Sequence, residues 1–326
     1  MWIVVKALVV HGLDGPSAIR FDDVDEPPSD GKVLIEVRAA GVCYPDLLLT
    51  QGRYQARAQP PFVPGSEVAG LVVHAPDGSG FSAGDRVQAV VGLGAYAQRV
   101  AVDPGAVWRL PDELDFAEGA ALLANHQTAH FALHRRAGLT AGETVLVLGS
   151  AGGVGSAAVQ VATALGARVI AGVHRRGADE FVRGLGSDGI VPLHDGWLDR
   201  VREVTSGRGV DVVVDPVGGA LFDDAVRALA PEGRLIVLGF AGGAIPQVKV
   251  NRLLLRNVSV VGAGWGEFLR TRPQALAETA QALQAFVARG LRPPVTRRFP
   301  LAEGAQALLD LEAGTVLGKA VLVTEG

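Results

Sequence analysis

One cysteine, Cys43, is all the chain contains, so no internal disulfide can form and no four-thiolate zinc lobe can be built. No apolar run approaches the roughly 18 residues that cross a bilayer as a helix. The opening MWIVVKALVV has too short an apolar stretch and no small-residue cleavage site, which argues against a secretory signal. Strong charge of either sign is missing too: net charge is −4, the pI is near 6.0, and the basic residues are scattered. An electrostatic footprint for nucleic acid or an anionic membrane is therefore absent. Internal repeats and low-complexity segments are not found, and no serine stands in GxSxG, which removes the serine-hydrolase reading. These absences lead to the expectation of a cytoplasmic protein whose partners are small molecules.

What the chain does have is length and apolar content. Its 326 residues, 48 % hydrophobic and 20 % charged, suggest two globular domains. Within residues 143–155, ETVLVLGSAGGVG, an apolar strand empties into a glycine turn and then a helix pattern. That is how a dinucleotide pyrophosphate is held. Gly152, Gly153 and Gly155 let backbone N–H groups approach phosphates, the helix that begins around Val154 turns its positive end toward them, and Ser150 lies inside the turn. The motif is SxGxxG rather than GxGxxG.

From there to about residue 240, the runs VLVLG, RVIAGV, GIVPL, VDVVVD and RLIVLGF alternate with helix-like stretches expected at 155–165, 179–185, 197–205 and 222–229. Uninterrupted apolar strands mean a parallel sheet covered on both faces, a doubly wound α/β fold. A sixth strand is expected at NVSVVG, from Asn257 to Gly262. Before residue 118 the pattern is different. Short alternating strands such as VLIEVRAA, EVAGLVV and DRVQAVV, separated by Pro, Gly and Asp clusters, suggest a small irregular β-barrel. A helix at 273–289, a β segment and the strand KAVLV are expected to pack back on that first domain.

The end of the second strand of the α/β half reads Val173, His174, Arg175, Arg176. NAD-specific sites place a carboxylate there for the ribose 2′-hydroxyl. Here two guanidiniums are available instead to pair with a 2′-phosphate. At about 1.5–3 kcal/mol for one charge-assisted hydrogen bond, NADPH should be preferred roughly tenfold to a hundredfold or more.

With the barrel, GVCYPDLLLTQGRY, PFVPGSEVAG, the turn SAGGVG and GFAGGAIPQVKVNRLLLRNVSVVGAGWG in view, the chain resembles medium-chain dehydrogenases/reductases along nearly its whole length. Within them it is similar to the zinc-free quinone oxidoreductase branch, the relatives of zeta-crystallin. The resemblance implies a GroES-like catalytic domain, 1–118 and 263–326, a Rossmann domain, 119–262, and an active site in a cleft. The zinc-dependent members carry a cysteine at the place of Cys43, a His-Glu pair at Ser66-Glu67 and a further cysteine near Ala124. Of the cysteine and histidine ligands only Cys43 survives, so three zinc ligands are not available, and Cys43 is expected to be a small buried hydrophobe rather than a reactive thiol. Pro45 stands where the alcohol dehydrogenases place the hydroxyl of a proton relay, and proline cannot replace it. Without Lewis acid and relay, the expected acceptor is electron-poor, a quinone or an α,β-unsaturated carbonyl.

The same resemblance assigns further residues. Asn125-His126-Gln127-Thr128-Ala129 matches the segment whose threonine touches the nicotinamide ribose or carboxamide, making Asn125 and Thr128 cofactor candidates. Gly239, Phe240 and Ala241 match the loop passing the nicotinamide, and His194 falls where relatives place a tyrosine near the adenosine phosphate, with a surface-loop histidine as the alternative. Tyr44 and Tyr54 line the substrate pocket in relatives; either is expected to donate to the reduced carbonyl oxygen or simply to shape the pocket. Asp46 and Glu67 are expected to accept hydrogen bonds from backbone amides rather than to act as a catalytic pair. Trp265 either walls the pocket or anchors the domains, and Lys319 either reaches the cofactor or is exposed. The implied activity is NADPH-dependent hydride transfer. An enoyl-thioester reductase and a non-catalytic NADPH-binding structural or sensing protein are the alternatives. An unpaired edge at 257–262 would favour a twofold dimer.

Overall fold

The structure is a computed structural model and describes residues 3–324. It divides into two compact units: residues up to Ala124 together with those from Leu276 onward, and residues Asn125–Ala275. These boundaries fall at 124/125 and 275/276, against 118/119 and 262/263 from the sequence.

In the first unit, β1 (Val4–Val10) and β2 (Ile19–Asp25) form an antiparallel hairpin. They are followed by β3 (Val33–Val42), helix α1 (Tyr44–Thr50), β4 (Glu67–His74), β5 (Arg86–Val90), β6 (Arg99–Val102), β7 (Val107–Arg109) and helix α2 (Phe116–His130), which crosses the boundary. The second unit holds β8 (Thr144–Leu148), α3 (Gly153–Ala164), β9 (Arg168–Val173), α4 (Asp179–Gly184), β10 (Gly189–Pro192), α5 (Trp197–Val204) and β11 (Val210–Asp215). It continues through α6 (Phe222–Ala228), β12 (Leu229–Val237), α7 (Val250–Arg256), β13 (Ser259–Gly262) and α8 (Trp265–Thr271). Helix α9 (Ala275–Ala288) leads to β14 (Val295–Pro300), α10 (Gly304–Glu312) and β15 (Lys319–Val323), which belong to the first unit.

The first unit is organised by β3, which pairs antiparallel with β15, β4 and β6. The sheet runs β14-β15-β3-β4-β5-β7 with β6 added on β3. Its Val33, Ile35, Val37, Val68 and Leu322 share one apolar core with Leu8 of β1. Fully burying such a side chain contributes about 1.5–3 kcal/mol, so the segments on either side of the α/β half are joined by one apolar core.

The second unit is a parallel six-stranded sheet in the order β10-β9-β8-β11-β12-β13. Val145, Leu146, Val147 and Leu148 of β8 are all fully buried, as a strand with helices on both faces requires. Chain order reverses between β8 and β11, the switch point where such sheets bind ligands beyond their carboxyl ends. The expected helices are present with ends shifted by one or two residues. The sixth strand starts at Ser259 rather than Asn257 because Asn257, at φ 51°, is the left-handed cap that ends α7. Helix α7 itself was not expected: its Leu254 and Leu255 are exposed, so it has no apolar stripe to give a helical period.

Candidate active site

The dinucleotide turn is built from backbone. Gly149 adopts φ +62°, a conformation that excludes most side chains. Gly155 lies where α3 crosses it: a Cβ there would collide with the Gly149 carbonyl and stand 2.9 Å from Ser150 Cα. This is the close helix–strand approach that the last glycine of the motif permits. Gly152 caps α3, and Gly153, Val154 and Gly155 occupy its first turn, where helical N–H groups lack intrahelical acceptors. Ser150 is fully buried and its hydroxyl donates to the Val147 carbonyl at 2.6 Å. The hydroxyl proton is thus committed to the end of β8, which ties the turn to the strand that leads into it.

Beyond β9, His174 Nδ1 lies 3.1 Å from the Leu193 carbonyl, tying the ends of β9 and β10 together. Arg175 is half-buried, and burial depresses its guanidinium pKa, whereas Arg176 is exposed. His194 is exposed, with Nδ1 3.3 Å from the neighbouring Asp195 carbonyl. On the other side of the switch point, Gly239, Phe240 and Ala241 form a loop pinned to the end of β11: Ala241 N–H donates to Pro216 O and Gly242 N–H to Val217 O. Asn125 is buried and Thr128 half-buried on α2, which His126 fastens to α3 through Gln160, 2.9 Å away. Trp265 packs at 5.1 Å on Phe131 and 6.3 Å from Phe268, so it is an anchor inside its own unit.

The first unit contains a different kind of site. Cys43 caps α1; its N–H donates to Asp46 Oδ2 at 2.9 Å, and the Tyr96 hydroxyl donates to the same oxygen at 2.8 Å. Lys319, at the start of β15, extends its ammonium to Glu67 Oε1 at 2.6 Å and Cys43 Sγ at 2.9 Å. Glu67 Oε2 accepts the Ala124 N–H at 2.8 Å. Lys319 is 2 % exposed and Glu67 not at all. Of the two places expected for Lys319, the cofactor and solvent, burial excludes solvent: the carboxylate at the foot of β4 holds its ammonium inside the unit. Asp46 and Glu67 do accept backbone amides, as expected.

The charges in this cluster follow from burial. Burial pushes the Cys43 thiol up, so sulfur stays protonated, donating toward Glu67 Oε1 at 3.4 Å and accepting from the ammonium. Burial alone would lower Lys319, but Cys43 and Glu67 hold it above its ordinary value. Asp46 is pushed up to about 6 by burial, with Tyr96 and the Cys43 amide pulling the other way. Tyr54 is raised by burial and then by Asp46 and Cys43, so that phenol keeps its proton; Tyr44 is 40 % exposed at the first turn of α1. Tyr96 and the Lys319–Glu67 pair were missed from sequence. The available signal was a lysine opening an inward-facing apolar strand, where a charge needs a partner.

A zinc ion does not fit this donor set. At the positions named above, serine stands in place of the histidine and alanine in place of the second cysteine, and the Lys319 ammonium already lies against the two donors that remain, Cys43 Sγ and Glu67 Oε1. Among the described residues no group of three or more His, Cys, Asp or Glu is placed to hold a metal.

Comparison with known proteins agrees with this geometry. The family described as "Zinc-binding dehydrogenase" matches residues 153–283, and "Alcohol dehydrogenase GroES-like domain" matches residues 29–112. Bovine quinone oxidoreductase-like protein 2 is 37 % identical over 300 residues, 91 % of this chain and 86 % of that protein. A probable oxidoreductase from Mycobacterium abscessus is 53 % identical with a TM-score of 0.92, covering 99 % of this chain and 100 % of the other. Mycobacterial Rv1454c, solved with NADPH, is 33 % identical with a TM-score of 0.89, covering 98 % and 99 %. The paired GroES-like and Rossmann folds, together with relatives along almost the full length, place the chain in the medium-chain dehydrogenase/reductase superfamily, in its quinone oxidoreductase-like branch.

Proposed function

We propose that the protein transfers hydride from NADPH to a quinone or an α,β-unsaturated carbonyl without a metal. The observation that carries this reading is the pairing of the glycine-built turn at α3 with Arg175 and Arg176 at the end of β9, in a chain whose Cys43 is engaged by an ammonium. The NADPH complex of a 33 % identical relative supports the choice of cofactor. NADPH, when bound, supplies the hydride. The first turn of α3 binds its pyrophosphate, Arg175 and Arg176 its 2′-phosphate with His174 and His194 beside them, and Gly239, Phe240 and Ala241, with Asn125 and Thr128, orient the nicotinamide end. Tyr54, its phenol kept protonated by burial beside Asp46 and Cys43, donates a hydrogen bond to the acceptor's carbonyl oxygen, and Tyr44 at the exposed start of α1 shapes the entrance. A conjugated acceptor needs no stronger electrophile.

Stopped-flow oxidation of NADPH tests this, with 9,10-phenanthrenequinone, simple enones and crotonyl-CoA as acceptors and with chelator present throughout. Turnover of quinones and enones in chelator is expected. Turnover of crotonyl-CoA alone would move the assignment to an enoyl-thioester reductase, and tight NADPH binding with no turnover to a structural or sensing protein. We also propose a homodimer formed through β13. That strand ends the six-stranded sheet, and α7 beside it exposes Val250, Leu254 and Leu255, each more than 70 % accessible. A monomer in light scattering at micromolar concentration would refute this assembly.

A further inference from the structure

Asp215 ends β11, the strand beside the glycine turn, and is completely buried. Its Oδ1 accepts two backbone amides, from Val217 at 2.9 Å and Gly218 at 2.8 Å. Its Oδ2 is also buried and has no partner among the described residues. A carboxylate that spends one oxygen on two consecutive amides fixes a turn, and this turn carries more than itself. Gly218 and Gly219 both adopt positive φ, 64° and 59°. Pro216 and Val217 offer their carbonyls to Ala241 and Gly242 at 3.1 and 2.8 Å, while Gly219 N–H donates to Ala244 O at 3.1 Å. The Asp215 carbonyl itself accepts Leu238 N–H at 2.9 Å. On the opposite side the Val217 side chain rests against Gly149, so close that a Cβ added there would stand 3.1 Å from it. The turn at 216–219 therefore touches the loop assigned to the nicotinamide and the loop assigned to the pyrophosphate.

We propose that Asp215 is the positioning residue of the dinucleotide site: by holding the 216–219 turn it sets the distance and angle between the pyrophosphate turn and the 239–244 loop. The role rests on the reading of those two loops given above. Asp215 makes no claim on the adenosine end, which belongs to His174, Arg175 and Arg176 beyond β9, two strands away in the sheet order β9-β8-β11. Its effect should therefore be confined to the nicotinamide half of the cofactor. The second carboxylate oxygen has no hydrogen bond to lose, so asparagine, whose amide oxygen can still accept both N–H groups, should do the same work. Burial already pushes the Asp215 carboxyl up, against the pull of the Gly218 and Val217 amides, so a neutral amide suits the place.

The test measures dissociation constants for NADPH and for adenosine 2′,5′-bisphosphate, together with single-turnover hydride transfer, in wild type, Asp215→Ala and Asp215→Asn. In Asp215→Ala, two buried amides lose their acceptor, and NADPH affinity is expected to fall about tenfold or more with slower hydride transfer. Affinity for the bisphosphate should stay within about threefold, and Asp215→Asn should recover both NADPH affinity and rate. Unchanged NADPH binding in Asp215→Ala would overturn the proposal. So would equal losses for the two ligands that asparagine fails to recover, since that pattern marks a stability residue only. Wild-type protein that binds neither ligand would overturn the dinucleotide reading itself, and this role with it.

Discussion

The glycine turn before α3 and the cluster around Lys319 are both polar places set in apolar surroundings, yet they are made of opposite materials. The turn is contiguous backbone, residues 149–155, and depends on glycines that keep side chains out. The cluster is side chains drawn from β4, α1, the segment before β6 and β15, with Lys319 and Cys43 separated by 276 positions. A site of the first kind tolerates neighbours changing but not its own residues gaining atoms. A site of the second kind is a closed balance of charge, where removing one member strands another.

The sharpest way to break this contrast is Lys319→Met, which leaves Glu67 buried without its cation. Losing one partner of a buried ion pair costs about 3–5 kcal/mol, so the urea midpoint should fall steeply while the nucleotide unit's affinity for adenosine 2′,5′-bisphosphate persists. Adding Glu67→Gln should recover much of the loss, and a double variant no more stable than the single one would show that the pair is not balanced by charge. Next is Gly155→Ala. Its new methyl must displace the Gly149 carbonyl, at about 1–3 kcal/mol for forced overpacking, and calorimetry should show NADPH affinity falling tenfold or more with little effect on the cluster. Wild-type affinity in this variant would mean that the turn is not the phosphate site. A smaller and more selective effect is expected of Arg175→Glu with Arg176→Glu: KM for NADPH should rise roughly tenfold to a hundredfold relative to KM for NADH. Equal changes for the two cofactors would remove the 2′-phosphate assignment.

The last effect is a slope with pH. Asp46, raised to about 6 in the folded protein from an ordinary 3.8, binds its proton more tightly when folded. Its contribution to stability is full below about pH 4 and is lost as pH rises through about 6. Wild type should therefore lose stability relative to Asp46→Asn between pH 4 and 6 and run parallel to it above that. Parallel curves across the whole range would show that the carboxyl is not perturbed.

The contrast also explains what could be read before the fold was known. Gly152, Gly153 and Gly155 carry their geometry in their spacing, and the strands of the parallel sheet announce themselves as unbroken Val/Ile/Leu runs. The absence of a carboxylate after Val173 is equally local. Lys319, by contrast, is one lysine in LGKAVLV, and nothing nearby says that Glu67 waits for it. Tyr96 likewise became a partner of Asp46 only when β4, α1 and the segment before β6 were brought together. Helix α7 escaped because exposed leucines leave no period, and Asp215 because its importance lies in two amides that follow it, not in its own type.

The position of β15 has a consequence for how the chain acquires its shape during synthesis. Residues 319–323 form an interior strand of the first unit's sheet, between β14 and β3. All strands of the second unit have left the ribosome by then, so that unit can fold as translation proceeds. The segments from β1 to α2 must meanwhile wait with one edge of β3 open and Glu67 without its counter-ion. A ribosome paused after the chain up to Ala275 has cleared the exit tunnel, but before β15 has, should carry a protease-resistant nucleotide unit attached to a still digestible barrel.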